Sequence, residues 1–167
     1  MLTIKKLTWS NFLSWGNIPT TVDFQRNRST MIVGQSGHGK STIIDALCFV
    51  LYGQPFRKVN KSALINTVNH KACRVELSLS TEDAEYVIVR GMKPDVFTIH
   101  KDGNLVEQEA ATKDYQKWLE SNVLKMNMKT FTQIVILGYA NHTPFMEMNA
   151  SQRRAMVDEI LGLDVFT

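Results

Sequence analysis

Polar and apolar positions along the chain change period several times, and each change predicts an element. Over residues 2–9 the apolar side chains fall at Leu2 and Ile4 and then, after a slip of one position, at Leu7 and Trp9. That pattern predicts a first strand running on towards Phe12. Ser14-Trp15-Gly16-Asn17 turns the chain, residues 19–24 give a second strand, and Arg26-Asn27-Arg28 leads into a short β-prone run, Thr30-Met31-Ile32-Val33. Residues 41–52 are apolar almost all round, as a buried helix is, and Gly53 and then Pro55 stop it in the usual order. From Ala72 the period becomes two, with Cys73, Val75, Leu77 and Leu79 on one face and Arg74, Glu76 and Ser78 on the other. Residues 86–90 and 96–100 repeat the strand signal, and Asp102-Gly103 makes a hairpin turn to Leu105-Val106.

The last third is less regular. Thr112 is placed to cap a helix with Tyr115, Trp118, Leu119 and Val123 on one stripe, while residues 131–137 suit a helix or a strand equally. Residues 138–145 read as loop. Asn149 and Gln152 form a capping box for a final helix with Met156, Val157, Ile160 and Leu161 inward and Gly162 at its end.

Between the run at residues 30–33 and the apolar helix lies Gly34-Gln35-Ser36-Gly37-His38-Gly39-Lys40-Ser41-Thr42, a G-x-x-x-x-G-K-[ST] phosphate loop. Gly34, Gly37 and Gly39 permit a turn in which successive N–H groups face inward, and the helix adds its unpaired N-terminal donors. Lys40 then reaches the β- and γ-phosphates, the Ser41 hydroxyl ligates Mg²⁺, and Thr42 adds a phosphate contact. The loop expects ATP and Mg²⁺ as ligands. His38 has no acid–base role on this reading.

Composition changes this picture little. The 167 residues amount to one domain or a piece of one, 44% hydrophobic residues suffice for a core, and 21% charged residues argue against disorder. A net charge of +3 permits nucleic-acid contact without demanding it, and Arg57-Lys58-Val59-Asn60-Lys61 reads as a solvated basic loop. Cys48 and Cys73 lack metal spacing and read as reduced, buried thiols. No signal-like or membrane-spanning run occurs, so a soluble, cytoplasmic chain is expected.

The opening Leu7-Thr8-Trp9-Ser10-Asn11-Phe12-Leu13-Ser14, followed by a strand and the loop from Gly34 to Thr42, resembles the N-terminal half of the ATPase head of the SMC-like DNA-repair family, SbcC-type subunits and large subunits of phage recombination exonucleases included. Phe131-Thr132-Gln133-Ile134-Val135-Ile136-Leu137-Gly138, Thr143-Pro144-Phe145-Met146 and residues 153–161 are similar to the phage members in the same order. The resemblance spans essentially the whole chain.

It implies an α/β P-loop NTPase of ABC type, the N-terminal lobe of an ATPase head, with a mixed sheet around the phosphate loop and an antiparallel β-lobe beside it. Residues 1–167 would form one N-terminal segment, with coiled coil and C-terminal lobe absent. Implied partners are that C-terminal lobe, a second head closing on two ATP molecules, a metal-dependent nuclease subunit and DNA, with no membrane, in the cytoplasm, the host's if phage-encoded. Lys40 would be the catalytic cation, and Ile65 and Asn66 match a segment near the nucleotide base.

Two positions depart from the family. Its metal-sensing glutamine aligns with Tyr139, near Asn141 and His142, with Gln133 the only glutamine close by; Leu13 stands where several relatives carry arginine. Ala155-Met156-Val157-Asp158-Glu159 imitates a Walker B strand, but helical spacing and the capping box predict a helix there. The chain therefore reads as half a head, inactive alone. A self-contained P-loop kinase or GTPase, or a non-catalytic ATP-dependent DNA-tethering module, are the alternatives.

Overall fold

In a computed structural model, which describes residues 2–107, 112–137 and 145–161, the chain divides into two compact units, residues 1–107 and 108–167. The first holds a six-stranded sheet in the order β2-β1-β3-β4-β5-β6. Its strands are β1 (Thr3–Ser10), β2 (Thr20–Asp23), β3 (Cys73–Ser80), β4 (Glu85–Met92), β5 (Val96–Lys101) and β6 (Asn104–Leu105), and every pairing is antiparallel. The slip in the β1 pattern is a bulge between Ile4 and Lys6, which returns Leu7 and Trp9 to the buried face.

Register explains the core. Leu7 lies opposite Leu77, Leu77 opposite Ile88 and Ile88 opposite Ile99, so four fully buried side chains form one row across four strands. A second row runs Trp9, Val75, Arg90, Phe97. Its one charge is accommodated twice over: Arg90 Nε donates to the Val50 carbonyl at 3.1 Å, and the guanidinium carbon lies 3.7 Å from the Phe97 ring centroid. Helix α1 (Thr42–Tyr52), with residues 45–52 all buried, lies against β3 and β4. Gly53 ends it in the left-handed region (φ 71°), its N–H bonded to the Phe49 carbonyl at 2.8 Å.

The α/β expectation stands, but the mixed sheet does not. Among the described residues the sheet is antiparallel throughout and continuous from β2 to β6, because residues 30–33 form no strand; Met31 and Val33 are 86% and 79% exposed. A strand needs a neighbour's N–H and C=O groups, and this segment has none within the described chain.

The second unit is helical. Helix α2 (Thr112–Leu119) continues into a π-helical turn, Glu120–Leu124, with Tyr115, Leu119, Val123 and Leu124 buried. Thr112 is thus the first helical residue rather than the cap. The ambiguous run resolves as helix over α3 (Met128–Ile134), capped by the Asn127 side chain, which accepts from Thr130 N at 3.0 Å. The capping box closes as expected: Gln152 N donates to Asn149 Oδ1 at 2.8 Å and Asn149 N to Gln152 Oε1 at 3.3 Å, opening α4 (Ala150–Leu161). Asp158 is therefore helical. Gly162 and the loop readings at residues 138–144 lie outside the described residues.

Candidate functional site

The phosphate loop enters α1 through two glycines in the left-handed region, Gly37 (φ 82°) and Gly39 (φ 79°). A β-carbon would strain both positions, so the sequence G-x-G here is a backbone requirement. The N–H groups of Gly37, Gly39, Lys40 and Ser41 make no hydrogen bond among the described residues, whereas Thr42 N is bonded to the Gly39 carbonyl at 3.1 Å. Four free donors at a helix start form an anion cradle. Lys40 Nζ donates to the carbonyls of Gly34 and Gln35, both at 2.7 Å, so the ammonium is held within the loop rather than extended into solvent.

The loop forms one side of a cavity of about 600 Å³ lined by Ser36, Gly37, Gly39, Lys40, Ser41 and Thr42. Its other walls come from far along the chain: Leu13 and Ser14, Arg57, and Ala63 with Thr67. Amide side chains lace these walls together. Asn66, 5% exposed, donates from Nδ2 to the Leu13 carbonyl at 3.0 Å and accepts from the N–H groups of Val68 and Asn69. Asn69 Nδ2 donates to Asn11 Oδ1 at 2.6 Å, and Asn11 Nδ2 to the Ala72 carbonyl at 3.2 Å. Leu13 N donates to the Leu64 carbonyl at 2.7 Å, and Phe12 and Ile65 form a β-bridge. Asn11 and Leu13 adopt φ of 50° and 51°, a costly conformation for non-glycine residues that this network holds in place.

Arg57 is fixed from below. Its Nε donates to Asp45 Oδ2 at 2.7 Å and its backbone N to Oδ1 at 3.0 Å, with the Asp45 carboxylate fully buried on α1. Arg57 is thus tied to the helix of the phosphate loop, whereas Lys58 and Lys61 of the same basic loop, and Lys71 further on, are exposed. Cys48 and Cys73 are buried free thiols, each pushed by burial from 9.0 up to about 12, Cys48 with an added push from Asp45.

Of the predicted loop residues, Ser36, Gly37, Gly39, Lys40, Ser41 and Thr42 line the cavity, while Gly34, Gln35 and His38 do not. Ile65 and Asn66 are buried behind the wall, and their neighbours Ala63 and Thr67 line the cavity. Gln133 sits on α3; Tyr139, Asn141 and His142 lie outside the described residues. Sequence reasoning missed the Asn11, Asn66 and Asn69 network and the Asp45–Arg57 pair. Asp45, a lone carboxylate in an otherwise apolar helix, was the available signal.

Residues 6–163 match the AAA domain family. Exonuclease subunit 2 of Escherichia phage RB69 is 37% identical over 158 residues, which cover 95% of this chain and 28% of that protein. The DNA double-strand break repair Rad50 ATPase of Thermoplasma volcanium is 27% identical over 167 residues, covering 96% of this chain and 18% of that one. A solved structure from work on ATP-driven dimerization and DNA-stimulated activation of SMC ATPases matches at a TM-score of 0.62 and 24% identity, covering 95% of this chain and 99% of the other. The fold is that of a P-loop ATPase head of the SMC and ABC type. The chain spans little more than a quarter of the phage relative's length.

Proposed function

The chain belongs to the AAA domain family, and on that premise we propose that it is the ATP-binding N-terminal part of an SMC-like ATPase head that gates a partner nuclease acting on DNA. The observation that carries the reading is the cradle of four free N–H donors at the start of α1, facing a cavity that also holds Lys40, Ser41 and Thr42. Bound Mg-ATP would supply the scissile phosphoanhydride and the metal's charge. Around it the N–H groups of Gly37, Gly39, Lys40 and Ser41 hold phosphate oxygens. Lys40 exchanges its two carbonyl acceptors for phosphate and neutralises charge developing at the γ-position. The Ser41 hydroxyl ligates Mg²⁺ and Thr42 adds a phosphate contact. Ile65 and Asn66 would back the base side from behind the wall, Asn66 by fixing Leu13 in it.

The remaining partners follow from what this lobe leaves incomplete. Exposed Met31 and Val33 suit a strand completed by the C-terminal lobe of the same ATPase, consistent with a chain that covers 28% of the phage exonuclease subunit. A second head, a metal-dependent nuclease and DNA complete the assembly, in the cytoplasm of the cell or phage host. Among the described residues no helix is long and apolar enough to cross a membrane.

The test is Mg-ATP binding and hydrolysis by the purified chain, alone and with the C-terminal part supplied separately, against Lys40→Ala. Expected are Lys40-dependent binding, negligible turnover alone and turnover on addition of the C-terminal part. Lack of binding overturns the reading. Binding that never leads to turnover in the completed head points to an ATP-dependent DNA tether instead, and robust turnover by the chain alone would return Asp158 and Glu159 to consideration.

A further inference from the structure

Trp15 is not part of the phosphate loop, yet it is what the loop rests on. It follows the turn in which Asn11 and Leu13 hold positive φ, and that turn is closed by Asn11 N to the Gly16 carbonyl at 2.7 Å and Trp15 N to the Phe12 carbonyl at 3.0 Å. On one side its indole meets Trp9 edge to face, with ring centroids 5.5 Å apart and planes at 89°, and Trp9 is fully buried in the sheet. On the other side it meets Gly39. A β-carbon placed on Gly39 would lie 2.7 Å from Trp15 Nε1, 3.3 Å from Trp15 Cε2 and 3.0 Å from the Ser14 hydroxyl. Gly37, by contrast, has open space around it. The indole Nε1–H of Trp15 is buried and has no hydrogen-bond partner among the described residues.

Two glycines in one loop thus face opposite surroundings. Gly37 borders open space; Gly39 lies against an aromatic wall anchored in the sheet core. Because glycine imposes no conformation of its own, something else must fix the peptide planes on either side of Gly39, whose N–H and that of Lys40 belong to the anion cradle. We propose that Trp15 is a positioning residue for phosphate binding: it acts through Gly39 to hold the adjacent N–H donors in their binding orientation before the phosphates arrive. The proposal rests on the ATP reading above and adds a residue to it. Ordering the loop in advance spares that cost on binding, so the effect belongs to the phosphate chain of the ligand rather than to its base.

The experiment uses the chain with Trp118→Phe, so that emission comes from Trp9 and Trp15 alone. Mg-ATP and Mg-tripolyphosphate are titrated by calorimetry and by tryptophan emission, alongside the melting temperature of the free protein. Trp15→Ala is expected to weaken both ligands by about tenfold. Trp15→Phe keeps an aromatic wall and is expected to weaken them by about threefold, with the melting temperature unchanged and the ligand-induced change in emission abolished. Trp15→Phe carries the test if Trp15→Ala does not fold. Affinities within twofold of the parent in folded Trp15 variants, or an emission change that survives Trp15→Phe, overturn the positioning role. A parent that binds neither ligand in a Lys40-dependent way overturns the ATP reading itself.

Discussion

Residues 30–33 and strand β3 carry the same signal and meet different fates. Both are β-prone, residues 30–33 as a short apolar run and β3 as an alternating one, yet β3 is a central strand with Val75 and Leu77 fully buried, while Met31 and Val33 lie open to solvent. The difference is not in propensity. Strand β3 is hydrogen-bonded along its length to β1 on one side and β4 on the other, and both partners lie within the described chain, β4 close by and β1 far upstream. Residues 30–33 have no such neighbours among the described residues. A strand is a property of a pair, and sequence pattern reports only one member of it.

That contrast can be broken most severely in the buried row. Leu77→Ala is expected to cost about 2–5 kcal/mol in urea unfolding, because Leu77 is fully buried between Leu7 and Ile88. Asp45→Ala removes the acceptor of two Arg57 hydrogen bonds; with the guanidinium partly exposed, the loss should be about 1–3 kcal/mol in the same assay. The thiols sharpen the comparison at smaller amplitude. In the folded chain the Cys73 thiol is raised from 9.0 to about 12, so its protonated form is favoured by the fold. The resulting stabilisation is complete below pH 9.0 and is lost as pH rises towards about 12. Cys73 should accordingly resist a thiol reagent at pH 8, where a cysteine introduced by Val33→Cys should react at the rate of a free thiol. Val33→Ser should shift stability least, within about 0.5 kcal/mol. If the C-terminal part of the head covers this segment, amide exchange at residues 31–33 should slow only when that part is added.

Much of the fold was legible because local chemistry decided it. The slip between Ile4 and Leu7 announced the β1 bulge, Gly53 announced the end of α1, and Asn149 with Gln152 announced α4. The phosphate loop was equally plain, since its glycines are required by the backbone whatever the surroundings. Illegible were features made by two distant segments. Asn11, Asn66 and Asn69 look like ordinary polar residues until the 11–16 and 63–72 segments meet, and Trp15 looks like a turn residue until Gly39 is found beside it. The mixed sheet failed for the same reason in reverse: residues 30–33 have the pattern of a strand without the partner that would make one.

Arg90 shows what such a distant partner can contribute. Helix α1 has no basic residue in its last turn, and its final carbonyls sit in an apolar interior. The cation that meets them comes instead from β4, through the bond from Arg90 to Val50. With a nucleotide's phosphates at the other end, α1 would carry an anion at its positive pole and a cation at its negative pole, an arrangement in which the helix dipole is satisfied at both ends. The same field that draws phosphate to the loop would then be anchored, a helix length away, in the middle of the sheet.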